Sequence, residues 1–390
     1  MGTTGLQSSS LTNKPTVKRL YWPELDVVRF LAFVSVFVHH ILPRSVASTY
    51  HVFGMQHLDI RTRLIVVASA NAFGFGLPLF FTLSAYLIGS LLLKEKEEYG
   101  TVNLRAFYIR RILRIWPLYF LAILIGCLIA LFIARRPHDL LLFIGFAALI
   151  GNWVSIIWPS TNPMMPLWSI SVEEQFYLFC PLVIQRLSTK MLYVLSVGLI
   201  AASDFILFIL GHKHFDADRT IWYNSFVQFQ MFGAGLILCL RMRNRTPHFS
   251  RWRRLLYLGG GYLCWFIACF VFKAKQMAPA SSGTDMVIGY SIATIGCLLI
   301  IQGMLGIAPR HLPSWAIWLG RISFGLYVFH EIAIRIAFRL FPGHNYIRSI
   351  LCMVASLGLT VLFATLSYYF WEKPFLRIKE RFELIRSRPV

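Results

Sequence analysis

The sequence has few charged residues and especially few acidic ones. Only 14% of its 390 residues are charged, with 17 Asp and Glu against 38 Lys and Arg, while 57% are hydrophobic and the mean hydropathy is +0.62. Soluble globular chains carry roughly 25% charged residues, so this composition excludes a soluble fold. Apolar runs of roughly 18 residues or more recur along the chain, and each is long enough to cross a bilayer as a helix.

Motifs of nucleotide, zinc and hydrolase chemistry are also missing. The chain has no Walker A loop, no dinucleotide glycine fingerprint, no HExxH and no GxSxG elbow. Its seven cysteines form no CxxC pair and lie in apolar stretches, where cysteine is typical of a small core residue. The loop 212–218 contains two histidines and two aspartates, but we interpret it as a solvated loop. We therefore expect neither a metal nor a bound cofactor.

The net charge of +21 comes from Lys and Arg clusters that flank the hydrophobic runs. Anionic lipid headgroups explain this placement. The interleaving of basic and aromatic residues that is typical of nucleic-acid binding is missing from the polar segments. We expect membrane lipids as partners and no nucleic acid, and the sequence does not indicate an oligomeric state.

Eleven apolar segments are candidate membrane helices, because they are apolar on every face and do not alternate as barrel strands do. If all eleven crossed and the N-terminus were inside, 15 Lys and Arg would face the cytoplasm and 21 the outside, against the positive-inside rule. With a single crossing between residues 140 and 185 the division becomes 25 to 11. The sequence therefore predicts an all-α polytopic bundle of about ten transmembrane helices with both termini cytoplasmic. The candidate segments are 25–42, 66–93, 115–134, 140–157, 167–185, 191–210, 221–240, 255–272, 286–306, 315–338 and 349–371.

The segment that does not cross is 140–157 or 167–185. Three prolines between them mark a break, and we favour 167–185 as the span. The predicted organisation is a cytoplasmic tail over 1–20, a membrane domain over 21–375 and a basic cytoplasmic tail over 376–390.

Charged side chains stand inside the first span, where each costs roughly 2.5–3.5 kcal/mol on insertion scales and is a functional candidate. Arg29 and His40 are eleven residues apart, which places both on one face of a helix with a rise of roughly 16 Å between them. Asp26 is three positions before Arg29 and can pair with it. In the predicted orientation His40 lies near the outer face, where a neutral imidazole can act as a general base.

Two adjacent carboxylates, Glu173 and Glu174, open the otherwise apolar helix over 168–177. This segment begins on the outer side in the predicted topology, so one carboxylate is expected to orient the imidazole of His40. Adjacent helical residues diverge by about 100°, so the two glutamates cannot have the same role. The alternative is that both are interfacial and solvated.

An arginine cluster stands at the cytoplasmic end of the third span. Arg110, Arg111 and Arg114, with Tyr119 one turn further on, suit the phosphates of a nucleotide-containing donor such as coenzyme A, because guanidinium groups bind phosphate in a bidentate manner. Ordinary anchoring of the helix to lipid headgroups explains them equally well. His330, in the late apolar span, is a further candidate, although a lone histidine in such a helix is more often a core residue.

Several motifs in this order resemble the acyltransferase 3 family of bacterial multi-pass membrane proteins, and the likeness runs from Glu24 to Phe375. Arg29 and His40 match the family's Arg-x10-His pattern, in which both residues are regarded as essential. Phe80–Ile88 resembles FFxLSGFLI, with Ala85 and Tyr86 as departures. The other matching segments are Arg110–Tyr119 (RRxxRIxPxY), Trp168–Tyr177 (WSLSVEEQFY), Ser323–His330 (SYGLYLxH) and the closing motif Trp371–Phe375. Phe80–Ile88 adds Ser84 to the candidates, and the other segments add Trp168, Ser171 and Tyr327.

The resemblance implies transfer of an acyl group, often acetyl, from cytoplasmic acyl-CoA as co-substrate to a hydroxyl of an extracytoplasmic carbohydrate, lipid-linked glycan or similar acceptor, at the bacterial inner membrane. Some members carry an additional esterase-like domain, and because the sequence stops at Val390 we expect a stand-alone membrane enzyme. Under this hypothesis the three arginines hold acyl-CoA and His40 is the base. Glu173, or as the less favoured choice Glu174, supports the imidazolium, and Arg29 stabilises the oxyanion or holds the donor. Direct transfer and an acyl-His40 intermediate both stay open.

Three alternatives remain at this point. In the membrane-bound O-acyltransferase group, a histidine in a late apolar helix has the leading role, and His330 would then outrank His40. A transporter or flippase could use the buried charges as a relay, although no inverted repeat is visible. A non-catalytic scaffold leaves the polar stripe of the first span unexplained.

Overall fold

The computed structural model describes residues 21–46, 48–49, 55–243, 245, 247–275, 278–341, 346–383 and 385. Within these ranges 82% of the structure is helix and there is no strand, which confirms the predicted all-α class. The predicted tail over 1–20 lies outside the described residues. The helices are α1 Pro23–Ile41, α2 Ile60–Ala72, α3 Gly76–Tyr99, α4 Leu104–Leu128, α5 Leu140–Ala147, α6 Gly151–Ile157, α7 Trp168–Arg186, α8 Thr189–His212, α9 Ser225–Met242, α10 Arg251–Phe270, α11 Gly283–Met304, α12 Ser314–Arg321, α13 Ser323–Leu340, α14 Tyr346–Ser367 and α15 Lys373–Glu380.

Six continuous helical stretches of the described chain are long and apolar enough to cross a membrane, which makes the molecule a multi-pass membrane protein. A seventh crossing is possible where α12 and α13 meet at a bend of 78°. The six are Ile60–Tyr99, Leu104–Ile133, Thr189–His212, Ser225–Met242, Gly283–Met304 and Ile347–Glu380. Helices α1, α7 and α10 have 19, 19 and 20 residues but contain more polar side chains, so the predicted count of about ten remains a prediction.

The region between 140 and 185 folds as the proline break indicates. Residues 140–157 form two short helices, α5 and α6, separated by a turn in which Leu149 has a φ of 60°. The segment 168–186 is one continuous helix of 19 residues, α7. The segment that the sequence favours as a span is therefore the one that is long enough.

Sequence-encoded caps define several helix starts. Pro23 stands in the first turn of α1, where its missing N–H costs nothing. The side chains of Asn103 and Ser188 accept hydrogen bonds from the backbone N–H groups of Ala106 and Met191 at the starts of α4 and α8. Gly100 ends α3 with a φ of 73°, a conformation that glycine adopts without steric cost.

Helix α1 lies inside the bundle and carries the polar stripe into it. It packs against α3, α12 and α13, and Val28, Ala32 and Phe33 have no exposed surface. Helix α8 lies at the periphery, where side chains such as Phe205 are 64% exposed, as expected for a surface that faces lipid hydrocarbon. The chemistry-bearing residues of α1 are thus enclosed by other helices.

Candidate active site

Two histidines from distant parts of the chain meet inside the bundle. Nδ1 of His40, in the last turn of α1, lies 2.9 Å from Nε2 of His330, in α13. On the other side of the His40 ring, Nε2 is 3.7 Å from Oε1 of Glu331, whose second carboxylate oxygen lies 3.8 Å from Nε of Arg335. The structure therefore brings the two separate candidates His40 and His330 into one pair flanked by a carboxylate.

The hydrogen bonds of the pair define which ring nitrogen is the base. Nδ1 of His330 lies 2.5 Å from the carbonyl oxygen of Tyr327, and because a carbonyl only accepts, this nitrogen carries the hydrogen. In a neutral His330, Nε2 is then an acceptor, and Nδ1 of His40 donates to it. The lone pair of His40 is therefore on Nε2, the atom that faces Glu331.

His40 lines a cavity of about 290 Å³, which we call the histidine cavity. Its wall is polar and aromatic, and Trp168 and Tyr223 pack against each other in that wall with ring centroids 4.6 Å apart. His39 also lines it and bonds through Nδ1 to the carbonyl of Ala70 at 2.9 Å. The lining also includes Arg44, Ser160, Thr161, Asn162, Asp218, Trp222, Lys275, Tyr327, Glu331 and Arg335.

Two loop residues form a buried ion pair in the wall of this cavity. Nζ of Lys275 lies 2.7 Å from Oδ1 of Asp218 and 3.9 Å from the centroid of the Trp222 ring, with only 4% of the lysine exposed. Burial raises the pKa of Asp218, but Lys275 and Arg44 outweigh it, so this pKa lies below its ordinary value. The expectation that the loop 212–218 is simply solvated is wrong for Asp218. A local sequence pattern did not show this pair, because its partners are 57 residues apart.

A second site consists of two adjoining pockets of about 90 and 70 Å³, which share Arg29, Ser84, Arg111, Arg114 and Tyr177 in their walls. We call it the arginine cavity. NH1 of Arg29 lies 3.1 Å from Oδ1 of Asp26, so the predicted Asp26–Arg29 pair is present. The guanidinium of Arg111 stacks over Tyr177 at 5.2 Å, while its Nε is buried without a hydrogen-bond partner in the described structure.

The two cavities share a wall. Leu77 of α3 and Tyr327 of α13 line both of them. The hydroxyl of Tyr327 is 2.8 Å from Oγ of Ser169 and donates to the carbonyl of Pro166 at 3.1 Å. One layer of side chains therefore separates the arginines from the histidine pair.

The expected partnership of Glu173 with His40 is wrong. The carboxylate of Glu173 accepts hydrogen bonds from the hydroxyls of Ser84 and Tyr177, and it lines the arginine cavity. Glu331 has the place beside His40 that the sequence interpretation gave to Glu173. The reason is tertiary, because α13 and not α7 delivers the carboxylate next to the end of α1.

Two of the predicted donor-binding residues also have other partners. Arg110 is 7% exposed, forms an ion pair with Glu95 at 3.2 Å and donates to the carbonyl of Phe382. Tyr119 has no exposed surface and donates to the carbonyl of Phe146 at 2.7 Å. Neither lines the arginine cavity, so a donor-binding role for them remains a prediction that this cavity does not support.

The remaining candidates divide between wall and packing positions. Trp168 lines the histidine cavity. Oε2 of Glu174 accepts from Nε1 of Trp116 at 3.1 Å, while its other carboxylate oxygen is buried without a partner among the described residues. Ser171 is fully buried, 3.3 Å from the hydroxyl of Tyr119. Glu174 and Ser171 therefore lie outside both cavities.

A divalent cation could also be held by the histidine cluster. His40, His330 and Glu331 each offer a ligand atom, and these atoms lie within 4.8 Å of one another. Two imidazoles and a carboxylate are a zinc-type donor set. The direct bond between the two rings accounts for the arrangement without an ion.

The fold and the site define a multi-pass membrane protein with an arginine-lined and a histidine-lined cavity meeting at one wall. The chain belongs to the acyltransferase 3 family: the family profile, described as an acyltransferase domain, matches residues 22–369, which confirms the assignment made from the motifs. No solved structure matches the chain significantly.

Among its relatives is a Staphylococcus aureus (strain MSSA476) protein named putative O-acetyltransferase, 25% identical over 95% of this chain and 60% of that protein. A Bacillus subtilis (strain 168) protein named putative peptidoglycan O-acetyltransferase YrhL is 27% identical over 91% of this chain and 55% of its own length. A protein of Acidianus two-tailed virus named putative acetyltransferase is 24% identical, with 81% and 84% covered. The chain thus spans about 60% of the length of the first of these relatives.

Proposed function

We propose that the protein is a membrane O-acetyltransferase that moves an acetyl group from acyl-CoA to a hydroxyl of a carbohydrate or glycolipid. The family and the names of the relatives support acyl transfer. The observation that carries the mechanism is the histidine pair, because it leaves a lone pair on Nε2 of His40, which lines the histidine cavity beside Glu331.

The arginine cavity is the proposed donor site. Arg29, Arg111 and Arg114 line it together, and guanidinium groups bind the phosphates of coenzyme A through charge-assisted hydrogen bonds. The buried Nε of Arg111 is a donor that such a phosphate satisfies. Because Arg29 shares this cavity and not that of His40, holding the donor is its proposed role.

The histidine cavity is the proposed acceptor site, and the reaction takes place at its wall. Nε2 of His40 removes the proton of the acceptor hydroxyl as its oxygen attacks the thioester carbonyl. The carboxylate of Glu331 stabilises the imidazolium that forms, and His330 holds the ring in place. When the C–S bond breaks, the imidazolium returns its proton to the departing coenzyme A sulfur, which closes the cycle without a covalent His40 intermediate.

The orientation of the protein in the membrane is part of the proposal, and it rests on the distribution of Lys and Arg between the two sides. With ten crossings and both termini in the cytoplasm, the arginine cavity opens toward the cytoplasmic supply of acyl-CoA, and the histidine cavity opens to the outside. In a bacterium this places the enzyme in the inner membrane, modifying an extracytoplasmic glycan. The name of the Bacillus relative makes peptidoglycan one candidate acceptor.

Transfer of radiolabelled acetyl from acetyl-CoA in membrane vesicles tests the function. The vesicles contain wild type, His40→Ala or the control His311→Ala, in which an exposed histidine outside both cavities is replaced. We expect transfer to fall about 10²–10⁴-fold, the range for a general base, in His40→Ala only. Labelling that is undiminished in His40→Ala rejects the mechanism, and a wild type that transfers no acetyl rejects the function in favour of a transporter.

A further inference from the structure

The charged groups around the histidine cavity do not balance. Its lining contains three basic side chains, Arg44, Lys275 and Arg335, and two carboxylates, Asp218 and Glu331. Lys275 is paired with Asp218 and Arg335 with Glu331. The guanidinium of Arg44 has no hydrogen bond or ion pair within the described part of the chain.

Asp218 is not available to neutralise Arg44. Its carboxylate contacts Nζ of Lys275 at 2.7 Å, and that lysine is 4% exposed, so moving the carboxylate away would leave a buried charge unpaired. One carboxylate thus faces two cations, both of which lower its pKa. The excess positive charge of Arg44 is therefore a fixed property of this part of the wall.

The same wall has the surfaces that bind sugar rings. Trp168, Trp222 and Tyr223 line the cavity. Lys275 covers one face of Trp222, and Trp168 packs against Tyr223. The ring surface that still faces the cavity can pack against the C–H surface of a pyranose while polar neighbours bond its hydroxyls. The amide of Asn162 and the hydroxyls of Ser160 and Thr161 are such neighbours. The histidine cavity thus combines aromatic and polar side chains that can bind a sugar ring with the guanidinium of Arg44, whose charge is not neutralised.

Building on the proposed function, we propose that the acceptor is an anionic carbohydrate whose carboxylate or phosphate binds Arg44 while its hydroxyl reaches His40. A carboxylate belongs to an acidic sugar, and a phosphate to a sugar linked to a lipid carrier. Both bind a guanidinium through charge-assisted, bidentate hydrogen bonds. A neutral glycan leaves this cation unneutralised and binds more weakly.

Equilibrium binding to the full-length protein in detergent tests this without requiring acetyl transfer. Three probes that share one pyranose are compared by isothermal titration calorimetry: methyl β-D-glucoside, methyl β-D-glucuronide and glucose 1-phosphate. We expect at least one anionic probe to bind about ten-fold more tightly than the glucoside, as for one charge-assisted hydrogen bond. The probe that is preferred identifies the source of the anion.

Variants assign the preference to Arg44. Arg44→Gln should abolish it and Arg44→Lys should retain part of it, because a point charge keeps the attraction but loses the fork geometry. Lys213→Gln removes an exposed cation from the loop after α8 and should leave it unchanged. Equal binding of all three probes, binding of none, or a preference that persists in Arg44→Gln overturns the proposal. Anion-selective binding that depends on Arg44, in a protein that transfers no acetyl, overturns the proposed function and leaves the histidine cavity as a binding site for an anionic carbohydrate.

Discussion

The arginine cavity and the histidine cavity lie on either side of Leu77 and Tyr327, yet they are built differently. The arginines come from α1 and from one turn of α4, so the sequence itself places Arg111 and Arg114 together. The histidine cavity is assembled from α1, α3, α7, α13 and connecting segments, including those that contribute Arg44, residues 160–166, residues 218–223 and Lys275. Binding a donor with several phosphates requires charge in one region, whereas activating a hydroxyl requires a single nitrogen held by partners. The first cavity should therefore determine donor affinity, and the second the rate of transfer.

Replacing His330 should give the largest effect, because it should lower the rate of transfer and leave the affinity for the donor unchanged. His330→Ala removes the acceptor for Nδ1 of His40, so we expect kcat to fall about 10²–10³-fold as the base loses its orientation. The KM for acetyl-CoA should stay within about two-fold, because His330 lies outside the arginine cavity. Steady-state kinetics on reconstituted protein measures kcat and KM. A change confined to KM would contradict the assignment of transfer rate to the histidine cavity.

Replacing Arg110 should affect stability and not donor binding. Arg110→Ala leaves the carboxylate of Glu95, which is 1% exposed, without its ion pair, and breaking such a pair costs about 3–5 kcal/mol. We expect a lower midpoint of thermal unfolding in detergent, and an unchanged KM for acetyl-CoA in the protein that remains folded. Glu95→Ala is the matched variant and should destabilise similarly. If Arg110→Ala raised KM with no loss of stability, Arg110 would be a donor-binding residue after all.

Replacing Arg114 should produce the opposite pattern. Arg114→Ala removes a cation from the arginine cavity, and a hydrogen bond to a charged group contributes about 1.5–3 kcal/mol, so we expect KM for acetyl-CoA to rise about ten-fold or more with little change in kcat. Arg105→Ala, in the first turn of the same helix and exposed, is the control. A ten-fold fall in kcat at constant KM would place Arg114 in the transfer step.

Removing metal should have the smallest effect. The bond between His40 and His330 needs no ion, so treatment with 1,10-phenanthroline should leave transfer within about two-fold of the untreated protein, far less than the loss of a base. A large loss that added zinc restores would make the cluster of His40, His330 and Glu331 a metal site.

Features fixed by local sequence could be predicted. The helical class, the break before α7 and the Asp26–Arg29 pair follow from hydropathy, proline and an i,i+3 spacing. The ordered motifs also identified the family. Each of these signals lies within a few residues or in the order of segments along the chain.

The partners of the site residues could not be predicted from the sequence. His40 meets His330 across 290 positions, and Asp218 meets Lys275 from another loop. Glu173 was assigned to His40 because both were expected at the same depth, but depth along the membrane does not determine which helices touch. The hydroxyls of Ser84 and Tyr177 hold Glu173 on the other side of the wall. The sequence likewise does not distinguish Arg110, which is buried, from Arg111 and Arg114, which line the arginine cavity, because all three are arginines of one motif.

The thinness of the wall formed by Leu77 and Tyr327 has a consequence for leakage. Under the proposed orientation, these side chains are what stands between two water-accessible spaces at different electrical potential, and the hydroxyl of Tyr327 is held by Ser169 and by the carbonyl of Pro166. In the proposed mechanism the acetyl group passes only this layer of side chains. The same layer would then also have to limit the leakage of protons between the two compartments.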